Sequence, residues 1–429
     1  MKKILDEIKQ KAKSGIHPGL ESINALCCEL GNIQDTLKFI HVAGTNGKGS
    51  VCAFIENILT CSKIKTGCYT SPCVFEKNEQ FRINAENCND ETFIKAARIT
   101  LDAVDVLNSK GIFPSEFEIE TAIAFQMFYL EKCEICIIEC GMGGLSDATN
   151  IIKNPLVSVL TPISYDHSKF LGESLTEIAL NKCGIIKENS IVLSAHQNPD
   201  ASAVIDSVSN KMNANLKYID NSKILIDSTK YNDMLMHFCY NNNEYESKMI
   251  GQHQMFNASL AIEVCQSLIA FGYNISTNNL KCGVRNAFNA GRFEIIRREP
   301  LVICDGAHNR HGAIALRDSL KFFFGDKKIT LVMGVFKDKD YDGILKIMSK
   351  RSDTLIAIEP DNSRALSANT LKNAASKYFK KTFVTNVEDI AQNIANSNES
   401  FCIFGSLSYL KDFKDSFYKY NKIKECKNG

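Results

Sequence analysis

Seven residues, Gly44-Thr45-Asn46-Gly47-Lys48-Gly49-Ser50, stand between the apolar run Lys38–Val42 and a helix-periodic segment that begins at Val51. A strand that passes through a glycine-rich turn into a helix is built to hold phosphate. The glycines admit backbone N–H groups to the anion, the helix N-terminus adds positive potential, and Lys48 supplies a point charge. The spacing departs from GxxxxGK[ST], because Val42 stands where the first glycine belongs and Gly49 intervenes before Ser50. Three glycines, a lysine and a serine in this context outweigh a plain glycine turn.

Short apolar runs alternate with helical patterns along most of the chain, which predicts parallel sheets covered by helices. The candidate strands are Lys38–Gly44, Ile135–Gly141, Leu156–Thr161 and Ile191–Ala195, then Leu301–Asp305, Lys328–Val335, Thr354–Glu359 and Phe401–Gly405. Between Lys223 and Ile250 the residues alternate with an Asn-rich break at Asn241–Asn243, as in a small antiparallel patch. An amphipathic helix is predicted over Gln252–Phe271, followed by a polar stretch to Asn289. The alternation restarts at Gly291-Arg292-Phe293. A chain of 429 residues exceeds one ordinary core, so two α/β domains are expected, residues 1–289 and 290–429.

Fifty basic against 49 acidic residues leave a formal charge of +1, with no global pull toward nucleic acid or anionic membrane. No run approaches the ~18 apolar residues that span a bilayer. The start, MKKILDEIKQKAKSG, carries Asp6 and Glu7 and no apolar core, so it does not read as a secretion signal. A cytoplasmic location follows as the expectation, and the 17 cysteines are expected to be thiols. Cys133, Cys136 and Cys140 form a CxxC-x3-C run, but Cys136 and Cys140 alternate along an apolar strand with no second ligand pair nearby, so the strand reading is preferred over metal.

Glu139 ends the apolar strand Ile135-Cys-Ile-Ile-Glu-Cys, which brings its carboxylate to the carboxyl edge of the sheet, where ligands bind in open α/β folds. A carboxylate beside nucleotide phosphates commonly holds Mg²⁺, which takes oxygen ligands and needs few from protein. A strand-end surface charge is the alternative. Asp166-His167 follows the run Leu156–Ile163, again at a strand end.

His41 through Ser50, HVAGTNGKGS, resembles the nucleotide loop of the Mur ligase superfamily, and more closely that of the folylpolyglutamate synthase/dihydrofolate synthase family. The likeness continues through Thr70-Ser71-Pro72, Glu139-Cys-Gly-Met-Gly-Gly144 with Asp147-Ala-Thr-Asn150, Asp166-His167 and Lys182-Cys-Gly-Ile-Ile-Lys187. It ends with Gly251-Gln-His-Gln254 and Asn257, Gly291-Arg292-Phe293, and Asp305-Gly-Ala-His-Asn309. These motifs stand in the family's order over nearly the whole chain.

The resemblance implies an N-terminal P-loop domain like the Mur ligase central domain, a smaller Rossmann-like C-terminal domain, and ATP between them. It implies two Mg²⁺ ions held by Ser71, Glu139 and His167, with Ser50 a further oxygen donor in the loop. Lys182 matches a lysine that the family carbamylates, which turns a cation that repels Mg²⁺ into an anion that binds it. Asn257, Arg292 and Asp305 are implied as nucleotide residues, with Arg292 reaching the γ-phosphate and His308 orienting a phosphate or the incoming amine. His311, the second histidine of an HxxH pair, has no third ligand and reads as surface. The implied reaction joins a folate or dihydropteroate carboxylate to L-glutamate through an acyl phosphate, and a monomer is expected. The alternatives are a Mur-type ligase acting on a cell-wall precursor, a P-loop kinase or ATPase, and a non-catalytic nucleotide-binding module.

The acceptor side departs from the family pattern. Cys73 and Leu145 stand where relatives often have His and Arg, and Gln80 replaces an Arg after Glu79. Arg82, two residues on, is the substitute cation at hand. Asn181 precedes Lys182 where relatives usually have Glu.

Overall fold

A computed structural model of the chain describes residues 1–13, 15, 19–165, 171–227 and 234–428. These form two compact units, the first drawn from residues 1–227, 237–248 and 254–288, the second from 234–236, 249–253 and 289–428. Both are α/β. No helix among the described residues is long and apolar enough to cross a membrane.

The first unit is built on eight strands: β1 (Phe39–Ala43), β2 (Thr66–Tyr69), β3 (Phe81–Ile83), β4 (Glu86–Asn87), β5 (Ile135–Glu139), β6 (Val157–Leu160), β7 (Ile191–Ser194) and β8 (Asn215–Tyr218), in the order β4-β3-β2-β5-β1-β6-β7-β8. Every residue of β1, β2, β5 and β6 is buried, as central strands covered on both faces require. One face packs on the helices Asp90–Ser109 and Glu116–Leu130, and the other on Leu175–Lys182 and Pro199–Lys211. β1 pairs in parallel with β5 and with β6, placing Val42 opposite Glu139 and Ala43 opposite Leu160. From β1 the chain moves toward β2, and from β6 toward β7 on the other side. Such a reversal opens a crevice at the carboxyl ends of the strands, and the Gly44–Ser50 loop lies there.

A small antiparallel sheet follows, of β9 (Ile224–Asp227), β10 (Met236–Tyr240) and β11 (Asn243–Ser247), in the order β11-β10-β9. The second unit's sheet runs β12-β13-β17-β14-β15-β16, with β12 (Glu294–Arg297) antiparallel to β13 (Val302–Asp305), and β14 (Thr330–Met333), β15 (Thr354–Ala357), β16 (Lys381–Val384) and β17 (Phe401–Phe404) in parallel.

The helix Leu175–Lys182 tightens into a 3₁₀ turn, Cys183–Ile185, where Gly184 lies against the backbone of Leu145. Two expectations are corrected here. The polar stretch before Asn289 contains a helix, Thr277–Asn286, opened by a Ser276–Asn279 capping box. That helix seats Gly283 on the backbone of Ile58, where a Cβ would lie 2.3 Å from the Ile58 Cα. The close approach brings Cys61 and Cys282 to 6.3 Å between Cα atoms, and the two are joined as a disulfide instead of standing as thiols.

Candidate functional site

The phosphate loop is shaped by two glycines that no other residue replaces. Gly44 leaves β1 at φ 145°, and a Cβ there would lie 1.9 Å from the Thr161 hydroxyl at the end of β6. Gly47, at φ 92°, opens the helix Lys48–Cys61, and a Cβ there would meet the Asn257 side-chain oxygen at 2.6 Å. Thr45 and Asn46 both donate their backbone N–H to the Pro162 carbonyl, at 3.0 and 3.3 Å. Thr45 also exchanges hydrogen bonds with Ser164 through its hydroxyl. The loop is thus pinned from outside while the first turn of the helix, with Lys48, Gly49 and Ser50, presents its positive end to the crevice.

Two lysines converge on one carbonyl of this loop. Lys48 Nζ donates to Gly44 O at 3.3 Å and to Thr45 O at 3.5 Å. Lys182 Nζ, on a buried side chain, donates to Gly44 O at 2.8 Å. Lys48 also pairs with Glu139 Oε1 at 3.8 Å, and the other Glu139 oxygen accepts the Ser71 backbone N–H at 3.4 Å. Lys48 and Lys182 therefore meet at Gly44, and Lys48 links them to Glu139 and, through it, to Ser71. His167 lies outside the described residues. Among those described, no three His, Cys, Asp or Glu side chains gather as a metal cluster. The donors present at the edge, a carboxylate and a hydroxyl, are hard oxygens of the kind Mg²⁺ takes.

Behind Glu139 lies a buried network that motif reading did not assign to the site. Asp147 accepts the Met142 N–H at 2.7 Å and the Thr149 hydroxyl at 2.6 Å. His41 Nε2 lies in turn 2.8 Å from the Thr149 hydroxyl and 3.1 Å from the Cys140 sulfur. Burial, reinforced by Lys187, lowers the His41 pKa to about 3, so the ring is neutral. This chain of bonds ties β1 to the turn after β5, holding the phosphate loop and Glu139 in one register. The spacing Asp147-x-Thr149 is a side-chain cap pattern, and that was the available signal.

In the second unit Asp305 ends β13 and accepts backbone N–H groups from Phe293 at 2.7 Å and Ala307 at 2.8 Å. Its carboxyl is pushed up by burial, against Arg292 and those two donors. It thereby fastens Gly291-Arg292-Phe293 to the end of the strand, where Gly306 leaves room for the Arg292 guanidinium: a Cβ there would lie 2.8 Å from it. His308 Nδ1 approaches Gly306 O at 2.8 Å, and Asn309 caps the helix Arg310–Phe324 through the Gly312 N–H. His311 is exposed.

A family model for the Mur ligase middle domain matches residues 42–265, and one for the Mur ligase glutamate ligase domain matches residues 291–407. The dihydrofolate synthase/folylpolyglutamate synthase of Bacillus subtilis is 32% identical over 419 residues, covering 95% of this chain and 96% of that protein. The folylpolyglutamate synthase of Lacticaseibacillus casei is 32% identical over 364 residues, covering 83% and 84%.

The chain belongs to the folylpolyglutamate synthase/dihydrofolate synthase family of Mur ligases.

The structure of the Mycobacterium tuberculosis folylpolyglutamate synthase complexed with ADP and AMPPCP matches with a TM-score of 0.84 at 28% identity, over 93% of this chain and 95% of that one. Against the family pattern, the substituted positions have definite places in this member. Asn181 accepts the Gly144 N–H at 3.0 Å through its side chain and the Leu145 N–H at 2.8 Å through its carbonyl, binding the turn after Glu139 to the helix that carries Lys182. Cys73 is half-buried, Gln80 is buried and Leu145 is 56% exposed. Arg82 is not available to an acceptor, because its guanidinium is seated inside the unit on Glu56, Thr70, the Glu79 carbonyl and Cys68. Lys77, near Cys73, is paired with the buried Glu120.

Proposed function

We propose that this ligase adds L-glutamate to the glutamate tail of a folate, with dihydropteroate as a second and poorer acceptor. The family's chemistry is ATP-dependent amide formation. In the reading favoured here, a substrate carboxylate oxygen attacks the γ-phosphorus and ADP leaves with the bridging oxygen. The glutamate amine then attacks the acyl carbon, loses a proton, and inorganic phosphate departs as the C–O bond breaks.

The meeting of Lys48 and Lys182 at Gly44, with Glu139 paired to Lys48 and Ser71 to Glu139, carries this reading. Lys48 neutralises phosphate charge from a fixed position, and the glycine loop and helix end orient the nucleotide without reorganising. Glu139 and the Ser71 hydroxyl are the oxygens that would hold Mg²⁺, with His167 and a carbamylated Lys182 completing two sites. A Mg²⁺ ion held there would supply positive charge that offsets the charge on the phosphates. Carbamylation adds CO₂ to the neutral Lys182 amine with loss of a proton, and the product keeps one N–H that can still reach Gly44 O. Arg292, Asp305 and His308 are assigned to the nucleotide and the incoming amine, supported by their grouping at the end of β13.

The test offers dihydropteroate and tetrahydrofolate separately to the purified protein with ATP, Mg²⁺ and glutamate, and reads products by mass. A mass gain of one glutamyl residue with matching ADP release is expected. Glutamate-independent ADP release, a phosphorylated end product, or ligation only to a cell-wall precursor would overturn the assignment.

A further inference from the structure

Arg82, half-buried at the margin of the first sheet, joins two parts of the site. Arg82 lies on β3, a three-residue strand antiparallel to β2. Its Nε donates to Glu56 Oε2 at 2.8 Å, its Nη1 to the Thr70 hydroxyl at 3.1 Å and the Glu79 carbonyl at 2.8 Å, and its Nη2 to the Cys68 sulfur at 3.0 Å. Glu56 is 1% exposed, sits on the helix that the phosphate loop opens, and uses its second oxygen to accept the Ala85 N–H at 3.1 Å.

Followed residue by residue, these contacts close a ring. Lys48 begins the helix and faces Glu139; Glu139 accepts from Ser71; Thr70, the preceding residue, accepts from Arg82; and Arg82 donates to Glu56, about 12 Å further along the same helix. We propose that Arg82 is a positioning residue, which fixes the Ser71–Glu139 edge against the phosphate loop by tying Thr70 to Glu56. Only a guanidinium fits this place, since its planar fork serves Glu56 and Thr70 in different directions at once, whereas an ammonium is a single point. The inference rests on reading Ser71 and Glu139 as the Mg²⁺ edge, and the experiment separates the two.

Removing Arg82 outright would strand the buried Glu56 charge and threaten folding, so the informative variant is Thr70→Val, which deletes one hydrogen bond and leaves the ion pair. Arg82→Lys keeps the charge and loses the fork. Mg²⁺ affinity is measured by calorimetry on the ADP-bound protein, with ADP affinity in EDTA and the melting temperature as controls. Thr70→Val and Arg82→Lys are both expected to weaken Mg²⁺ binding about five- to tenfold, with ADP affinity in EDTA unchanged. A Glu139→Gln control weakens Mg²⁺ in parallel if the edge is read correctly. Weakening in Glu139→Gln but not in Thr70→Val or Arg82→Lys would overturn the positioning role alone. No weakening in Glu139→Gln would overturn the edge itself, and with it the role of Arg82.

Discussion

Lys48 and Lys182 donate to the same oxygen, the carbonyl of Gly44, at 3.3 and 2.8 Å. Two cations on one carbonyl of a phosphate loop have separable duties, because Lys182 is buried while Lys48 retains some exposure and pairs with Glu139. Lys48 is therefore proposed as the one that meets a phosphate, with Lys182 behind the loop.

Lys48→Ala is accordingly expected to lower kcat at least a hundredfold, the loss of ~2.7 kcal/mol or more that removing a preorganised transition-state contact causes. The melting temperature should move little, since Gly44 and Gly47 still shape the loop and Lys182 still holds Gly44. A variant that keeps a tenth of the wild-type rate would remove Lys48 from the chemistry.

Lys182→Ala is expected to lose activity and to regain part of it when a short carboxylic acid is supplied to fill the gap beside Gly44. Carbamates are trapped by alkylation under ¹³CO₂, and the wild-type protein should yield one labelled lysine, at position 182. Absence of label, together with no rescue by acid, would leave Lys182 as the ammonium that donates to Gly44.

Acid should destabilise the protein through two enclosed histidines. Burial, aided by Lys187, takes His41 to about 3; burial, aided by His311 and Arg292, takes His253 to about 4. Below an ordinary 6.5 the unfolded chain binds these protons and the native chain does not, so stability falls as pH drops. The slope is about 1.4 kcal/mol per pH unit for each ring. It runs down to about 4 for His253 and about 3 for His41. His41→Gln should remove its share, roughly 2 kcal/mol between pH 6.5 and 5. Urea midpoints of the first unit at those two pH values check this, and equal losses in wild type and variant would disprove it.

The acceptor pocket is expected to favour tetrahydrofolate. Cys73, Gln80 and Leu145 bring no positive charge, Arg82 is committed to Glu56, and Lys77 is paired with Glu120. A missing charge-assisted contact commonly costs ~1.5–3 kcal/mol, about ten- to a hundredfold in affinity. Dihydropteroate, lacking a glutamate tail, has fewer contacts to make up the loss. Its kcat/KM should fall below that of tetrahydrofolate, and Leu145→Arg should raise it selectively. Equal efficiencies in wild type with no gain in the variant would show that charge at these positions is not what discriminates.

What the sequence by itself determined were the features encoded over a few neighbouring residues. The strand, loop and helix around Gly44–Ser50, the strand-end places of Glu139 and Asp305, and the alternating α/β pattern all follow from short-range periodicity and backbone freedom. β16, Lys381-Thr-Phe-Val384, is mostly exposed, and the helix Thr277–Asn286 is largely polar, so neither carries a strong apolar signal. Only the tertiary structure decided which charges meet. Arg82 is 26 residues from Glu56, Lys182 is 138 from Gly44, and Cys61 is 221 from Cys282. Partners at such separations are selected by how strands order in a sheet and how closely helices approach over a glycine. A cation's sequence position leaves open whether it faces a substrate or a buried carboxylate, because desolvation and geometry in the folded state settle that choice.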